Sequence, residues 1–185
     1  MDKIYLIRHG ETIWSKSGKH TSFTDLELTE TGVLEAASLK CKLPAFDHVF
    51  VSPLKRARQT AEILNLNGAI LKELLEWNYG VYEGKTTKEI QQNEPDWSIF
   101  THGALFGETL LEIEKRVNLV LNHLQSLNGT ICIVSSGHFL RALITNYLDL
   151  PIGFGKHISL HTGSLTVLGK ERNQKVIETL NVKPD

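Results

Sequence analysis

Apolar residues along this 185-residue chain switch repeatedly between an alternating or continuous short run and a helical spacing. Residues 3–8 predict a strand, and Leu28 to Leu43 carry apolar positions at helical spacing with Thr29 placed as N-cap. A second strand is predicted at "HVFVS", residues 48–52. Ser52-Pro53 then offers a capping hydroxyl and a proline at the first helical position, which predicts a helix through about Leu64 with Leu54, Ala57, Ala61 and Leu64 inward. A short strand at 69–71 follows.

From Lys72 to Gly107 the signals mix aromatics, glycines and Pro95, predicting a long ordered excursion with short helices, the kind of segment that often carries specificity. Thr109 and Glu112 make a capping box before a helix to about Leu127, striped by Leu110, Ile113, Val117, Val120, Leu121 and Leu124. "TICIVSS" is apolar enough to be a central strand covered on both faces, and "HFLRALITNYLDL" reads as a helix. The tail, from about His157 to Val182, predicts two or three strands with a turn near Gly169 to Gln174. No repeat or linker interrupts this order, so one domain over 1–185 is expected, with its excursion around 72–107. The fold class is α/β: a three-layer α/β/α sandwich with a mostly parallel central sheet and later strands adding antiparallel edges.

Composition narrows the partners. Twenty Lys+Arg against twenty-one Asp+Glu give a net charge of -1, so no overall field recommends nucleic acid or an anionic membrane, and any electrostatic recognition must be local. Cys41 and Cys132 sit in apolar periodic segments far apart and read as buried free thiols in a reducing compartment. With no signal-peptide pattern and no apolar run long enough to span a bilayer, a soluble cytoplasmic protein is expected, its oligomeric state open.

In open α/β sheets ligands bind beyond the carboxyl ends of the strands. Three such ends carry polar residues here: Arg8-His9-Gly10, Ser52 with Arg56 and Arg58, and Ser135-Ser136-Gly137-His138. They are expected to meet over one pocket, its mouth framed by the 84–108 stretch with Trp97, Phe100, His102 and Phe106. His157 and His161, four apart on an expected strand, read as edge residues, and no metal is assigned. His20 and His102 read as loop residues, either of which could line the pocket, and Arg141 as a structural pair on its helix.

"LIRHGET", "VSPLKRARQTA", "EWNYGVYEG" and "VSSGHFLRAL" resemble, in order and spacing, the signatures of the histidine phosphatase superfamily, which includes phosphoglycerate mutases. "WSKSGKHTSFTDLELTETG" and "EWNYGVYEGKTTKEI" are most similar to its sedoheptulose-bisphosphatase-like and small acid phosphatase branch. The resemblance implies a phosphoglycerate mutase-like fold and a metal-independent phosphatase. It would act without a cofactor on a small phosphorylated metabolite, through a phosphohistidine. His9 would be the nucleophile, kept neutral by cationic neighbours that also attract phosphate. Arg8 and Arg58 would clamp the transferring group, leaving Lys55 and Arg56 as solvated surface. Glu76 would be the general acid and base, with Glu83 its rival, and Ser15, Thr21 and Ser22 fall where relatives touch substrate.

One position departs from that pattern. Relatives end the central strand in His-Gly, and here the aligned residue is Ser136. His138 reads as an inherited neighbour common in this branch, so Ser136 reads as a loss that would impair phosphoryl transfer without abolishing it. Three accounts stay open: His138 turns in, the protein is a slow or degenerate phosphatase that binds phosphorylated ligands, or the serine was introduced to trap a complex. Mutase-type phosphoryl transfer and a non-catalytic phospholigand-binding regulator are the alternatives to hydrolysis.

Overall fold

The apolar runs become the strands Lys3–Arg8 (β1), His48–Val51 (β2), Ala69–Ile70 (β3), Thr130–Ser135 (β4), Leu165–Glu171 (β5) and Gln174–Val182 (β6) of one mixed sheet in the computed structural model, which describes residues 3–183. Their order is β3-β2-β4-β1-β5-β6. The first four run parallel, and β5 and β6 add an antiparallel edge as expected. Strand alternation then sorts the core onto two faces. Ile4, Leu6, Ile131 and Ile133 join one cluster, while Ile7, Val51, Cys132 and Val134 join the other.

The helices are Ile13–Lys16 (α1), Glu30–Ser38 (α2), Lys55–Ile63 (α3), Thr87–Gln91 (α4), Ile99–His102 (α5), Leu110–Gln125 (α6) and Gly137–Tyr147 (α7). Helices α6 and α7 supply Ile113, Val117, Phe139 and Leu143 to the first face, where Trp77, Tyr79, Trp97 and Phe100 of the 72–107 excursion also pack. The second face is covered from α3 by Ala57 and Ala61 and from the turn after α2 by Leu39. The capping box at Thr109 and Glu112 is formed, and Thr29 caps α2 by accepting from Gly32 N at 3.1 Å. Among the described residues no helix is long and apolar enough to cross a membrane.

Several expected boundaries move. Helix α3 starts two residues later than the Ser52-Pro53 signal: Leu54 is still extended, and the Lys55 N–H donates to Asp25 Oδ1 at 2.6 Å. A carboxylate from a distant loop caps this helix instead of the serine next to it. Helix α2 tightens into a 3-10 turn over Leu39–Lys42, which leaves Cys41 exposed rather than buried; Cys132 is buried as expected. Helix α6 stops at Gln125, with Ser126 as its C-cap, short of Leu127. Helix α7 stops at Tyr147, before the left-handed Asp149 and the extended Pro151. In the tail, His157 ends a 3-10 turn and His161 lies in a loop, so neither is on a strand. The two tail strands are joined at Arg172-Asn173, both at positive φ (48° and 67°), as a two-residue hairpin turn requires.

Register places the site. Arg8 pairs with Ser135 and Val51 with Val134, so three parallel strands end at one level. Beyond β1 the chain passes so close to α2 that a Cβ on Gly10 would stand 2.2 Å from Gly32 O, and one on Gly32 would stand 2.2 Å from Glu11 O. Both obstacles are backbone, which cannot turn aside as a side chain does. Gly32→Ala is therefore expected to destabilise the fold by about 1–3 kcal/mol, read as a lowered urea midpoint with unchanged slope.

Candidate active site

The candidate side chains lie at or near the ends of elements, or in the excursion beside them. His9 follows the last residue of β1, and its N–H donates to Ser135 O at 3.0 Å. The ring Nδ1 lies 2.8 Å from Gly10 O. A carbonyl can only accept, so Nδ1 carries the proton and Nε2 keeps a free lone pair. His9 is buried. Burial first, then the charges of Arg56 and Arg8, hold its imidazole well below the usual histidine range.

Arg8 donates from Nη1 to Leu160 O, and its buried Nε has no hydrogen-bond partner among the described residues. A Cβ on Gly137 would come within 3.1 Å of the Arg8 guanidinium, so the first residue of α7 must be small for the two to meet. Arg56 is 1% exposed. Its Nη atoms donate to the carbonyls of Thr21, Ser22 and Thr24, and its Nε lies 3.3 Å from Ser136 Oγ. Arg58, the expected second clamp, is exposed instead. The later start of α3 explains the exchange: counted from Lys55, positions 56, 57, 60 and 61 are buried, and 58 projects away from them. Thr60 ties this face to His9, accepting from Gly10 N at 3.2 Å and donating to Arg56 O at 2.8 Å.

Glu76 is buried at the N-terminus of α7. Its Oε1 accepts from Trp77 N at 2.8 Å and Phe139 N at 2.7 Å, and its Oε2 from His138 N at 3.0 Å. Oε1 is thereby filled, while Oε2 retains one lone pair. Ser136, the N-cap residue, makes no side-chain capping bond, so the Glu76 carboxylate caps the helix in its place. Arg116 steadies the segment from outside, donating to the carbonyls of Glu73, Leu75 and Glu76 and pairing with Glu108.

His138 is nearly surrounded by aromatics. The Tyr79 hydroxyl lies 2.5 Å from its Nδ1. Burial, and after it Glu76, holds the Tyr79 phenol well above its ordinary pKa, so the phenol donates and His138 bears its proton on Nε2. Burial and then Arg141, with lesser contributions from His20 and Arg8, keep His138 well below the usual histidine range.

Arg8, His9, Glu76, Tyr79, Gly137 and His138 line one cavity of about 220 Å³. Ser15 and Thr21 also line it, but the Ser15 hydroxyl is engaged with Thr12 in the capping box of α1, and Thr21 donates to Lys19 O. Ser22 and Glu83 do not line it. The Glu83 carboxylate instead binds the Ser22 hydroxyl and the Ser22 and Thr24 amides, fixing the loop whose carbonyls hold Arg56. The expected mouth is only partly right: Trp97 and Phe100 are buried, with Trp97 against His20 and Phe100 against His138, and His102 and Phe106 are exposed elsewhere.

Four lining residues carry more than the sequence reading gave them. Thr12 and Lys19 were not singled out. His20, read as a loop histidine, is buried against Tyr79 and Trp97, with burial drawing its pKa down to about 4. Arg141, read as half of a helix pair, has no ion-pair partner among the described residues and faces the cavity. The "SGHFLR" spacing held a signal for it: residues 137, 138 and 141 share one face of the first turns of a helix that begins at the strand end.

A neutral histidine between arginines, beyond the carboxyl ends of a mixed six-stranded sheet with helices on both faces, defines the phosphoglycerate mutase-like histidine phosphatase fold. Residues 4–183 match the histidine phosphatase superfamily (branch 1), and the chain belongs to it. An acid phosphatase from Mycobacterium tuberculosis is 37% identical over 189 residues, covering 97% of this chain and 92% of that protein. A sedoheptulose 1,7-bisphosphatase from Saccharomyces cerevisiae is 31% identical over 185 residues, covering 80% and 68%. The solved structure of an open reading frame product from Mycobacterium tuberculosis superposes with a TM-score of 0.93 at 36% identity, covering 100% of this chain and 99% of that one.

The two arginines of α3 make a direct comparison. Arg56→Ala removes a buried guanidinium and strands three carbonyls, so activity falls at least about a hundredfold and stability by about 3–5 kcal/mol. Arg58→Ala changes stability by less than about 0.5 kcal/mol and the rate less than twofold, both measured by urea melts and initial rates.

The three depressed histidines set a pH window. Below about pH 6.5 the unfolded chain protonates His9, His20 and His138 while the folded state keeps them neutral, so the unfolded state binds more protons and stability decreases as the pH is lowered. Each contributes up to about 1.4 kcal/mol per pH unit, His20 until its folded value of about 4 is reached. Urea midpoints are expected to drop steadily from pH 6.5 to 5, and His20→Gln to remove one histidine's share of that slope.

Proposed function

We propose that this chain is a metal-independent phosphatase for a small phosphomonoester, working through a phosphohistidine on His9 Nε2. The single observation that carries the reading is the Nδ1–H bond to Gly10 O, which leaves Nε2 as an unprotonated nucleophile beside two guanidinium groups. Arg8, which lines the cavity and has an unpartnered Nε, donates to the equatorial oxygens as charge develops there, while Arg56, its fork engaged by loop carbonyls, attracts the phosphate dianion through its charge. Nε2 forms the N–P bond as the ester O–P bond breaks, and the carboxyl of Glu76 passes a proton from Oε2 to the departing oxygen. Water then attacks phosphorus, giving its proton to Glu76, and inorganic phosphate leaves with His9 restored.

His138 is the donor that serves the phosphoryl oxygens where Ser136 offers none. Its Nε2–H follows from the Tyr79 bond, whereas the Ser136 hydroxyl is directed to Arg56. Ser136 also favours a second reading, a phospholigand binder with little turnover, because the usual imidazole is missing from the strand end.

Phosphate release from a panel of sugar and hydroxy-acid phosphates, measured in excess chelator, separates these readings. Release is expected from the native protein, with loss of at least about a thousandfold in His9→Ala and of about 10²–10³ in His138→Ala. Rapid acid-free quenching with a labelled substrate is expected to trap label on His9. Release that survives His9→Ala removes the mechanism. Binding without release, relieved by Ser136→His, establishes the binder, and label passing from His9 to a second phosphoglycerate establishes a mutase.

A further inference from the structure

Glu76 and Tyr79, which line the cavity, sit on backbone with no ladder of its own. Residues 76–79 fall between 3-10 turns at Lys72–Leu74 and Gly80–Tyr82, so their peptide groups must find partners elsewhere. Two residues outside the cavity supply several of them. Glu108, just before the N-cap of α6, accepts the Asn78 N–H at 2.9 Å on Oε2, while its main chain accepts from Trp77 Nε1 at 2.9 Å and donates to Asn78 O at 2.9 Å. Arg116, on the face of α6 that carries Ile113, Val117 and Val120, donates to Glu73 O at 2.8 Å, Leu75 O at 2.6 Å and Glu76 O at 3.3 Å. Its remaining donors go to the Glu108 carboxylate at 2.8 and 2.7 Å, which uses all five guanidinium protons.

This arrangement reaches the carboxyl group of Glu76 from two sides. Its plane is set by three amides, of which Trp77 N belongs to the excursion and His138 N and Phe139 N to α7. A carboxylate held this way aims its open Oε2 lone pair only while the excursion and the start of α7 keep one register. Arg116 touches both partners: beyond the three carbonyls, its guanidinium carbon lies 4.9 Å from the centre of the Phe139 ring. The Arg116 and Glu108 side chains are only 17% and 19% exposed, so water competes for their bonds less than it does at a surface pair. Precision of this kind matters, since a displacement of about 1 Å in a catalytic site can cost about a hundredfold in rate.

We propose that Glu108 and Arg116 are positioning residues for proton transfer: together they aim Glu76 Oε2 at the departing oxygen without touching substrate. The proposal rests on the acid–base role of Glu76 in the phosphatase reading. It carries a leaving-group signature, because an alkoxide must be protonated as it departs whereas p-nitrophenoxide is stable without a proton. Loss of the clamp therefore slows an alkyl ester far more than the nitrophenyl ester. Loosened packing alone would slow both alike.

Glycerol 3-phosphate and p-nitrophenyl phosphate are compared by kcat/KM, which reports the step that forms the phosphohistidine. Arg116→Gln is expected to lose about ten- to a hundredfold on glycerol 3-phosphate and less than about threefold on p-nitrophenyl phosphate. Glu108→Gln, which keeps an acceptor, loses less in the same pattern. Glu76→Gln also hits the alkyl ester harder, and adding Arg116→Gln to it costs that ester nothing further. A second readout needs no turnover: hydrogen exchange at the His138 and Phe139 amides is expected to speed up about tenfold or more in Arg116→Gln, with exchange in β6 unchanged. Equal losses on the two esters, losses that add to those of Glu76→Gln, or unchanged exchange overturn the proposal. If the native protein hydrolyses neither ester, or Glu76→Gln slows both alike, the phosphatase reading or its acid assignment fails, and exchange alone decides for or against the clamp. Should Arg116→Gln not fold, Glu108→Gln decides by the same comparison, and equal losses there count against it.

Discussion

Arg56 carries a full positive charge into the interior and meets oxygens that carry none: three loop carbonyls and one serine hydroxyl. Had a carboxylate answered it, the pair would be electrically quiet. With neutral acceptors the guanidinium is solvated by dipoles and its field stays open to its neighbours. His9 registers that field, since Arg56 ranks above Arg8 among the charges that keep its ring neutral. The same contacts fasten the 21–24 loop, which Glu83 grips from its other side through the Ser22 and Thr24 amides. Charge placement and loop placement are thus one feature, and Glu83 belongs to it by position rather than by contact with the cavity.

Much of the architecture was legible because it is written in local periodicity. The apolar alternation of residues 4–7 and 131–134 fixes which side chain faces which layer, and the structure uses that assignment to send Arg8 toward Gly137 and Ser136 toward Arg56. Boundaries were less legible where a distant group intervenes. Ser52-Pro53 looks like a helix start, but the amide that needs a cap is that of Lys55, and its acceptor is Asp25, thirty residues earlier in the chain. Nothing in a window around 52–64 could reveal this. Cys41 is exposed where helix α2 gives way to the 3-10 turn over Leu39–Lys42.

The site divides along the same line. His9, Arg8 and Glu76 were readable because their motifs place them next to element ends. Arg56 and Arg58 were exchanged because the sequence supplies both guanidinium groups two residues apart, and only the true phase of α3 distinguishes inward from outward. His20 and Arg141 were read chiefly as a loop residue and a helix pair for another reason. Their environment is assembled from Tyr79, Trp97, Phe100 and Gly155, four positions with no sequence proximity to either, so polarity on a loop or helix read as solvation.

Position 136 shows how a strand end can change residue without losing its helix. An N-cap normally contributes its own side chain, yet here the second and third amides of α7 are taken by Glu76, which reaches them from the excursion. The capping duty having passed to the carboxylate, the side chain at 136 is free of the helix and turns to the opposite face of the sheet, where β4 alternation directs it at Arg56. A serine is small enough to fit there fully buried beside a guanidinium. An imidazole in its place would bring a larger ring against a buried cation and would compete for the Arg56 Nε. The ring nearest the strand end is then that of His138, two residues on, oriented by a phenol rather than by the backbone. The carboxylate that caps the helix also holds the His138 amide, so the Glu76 side chain, the helix start and the His138 backbone are fixed by the same bond.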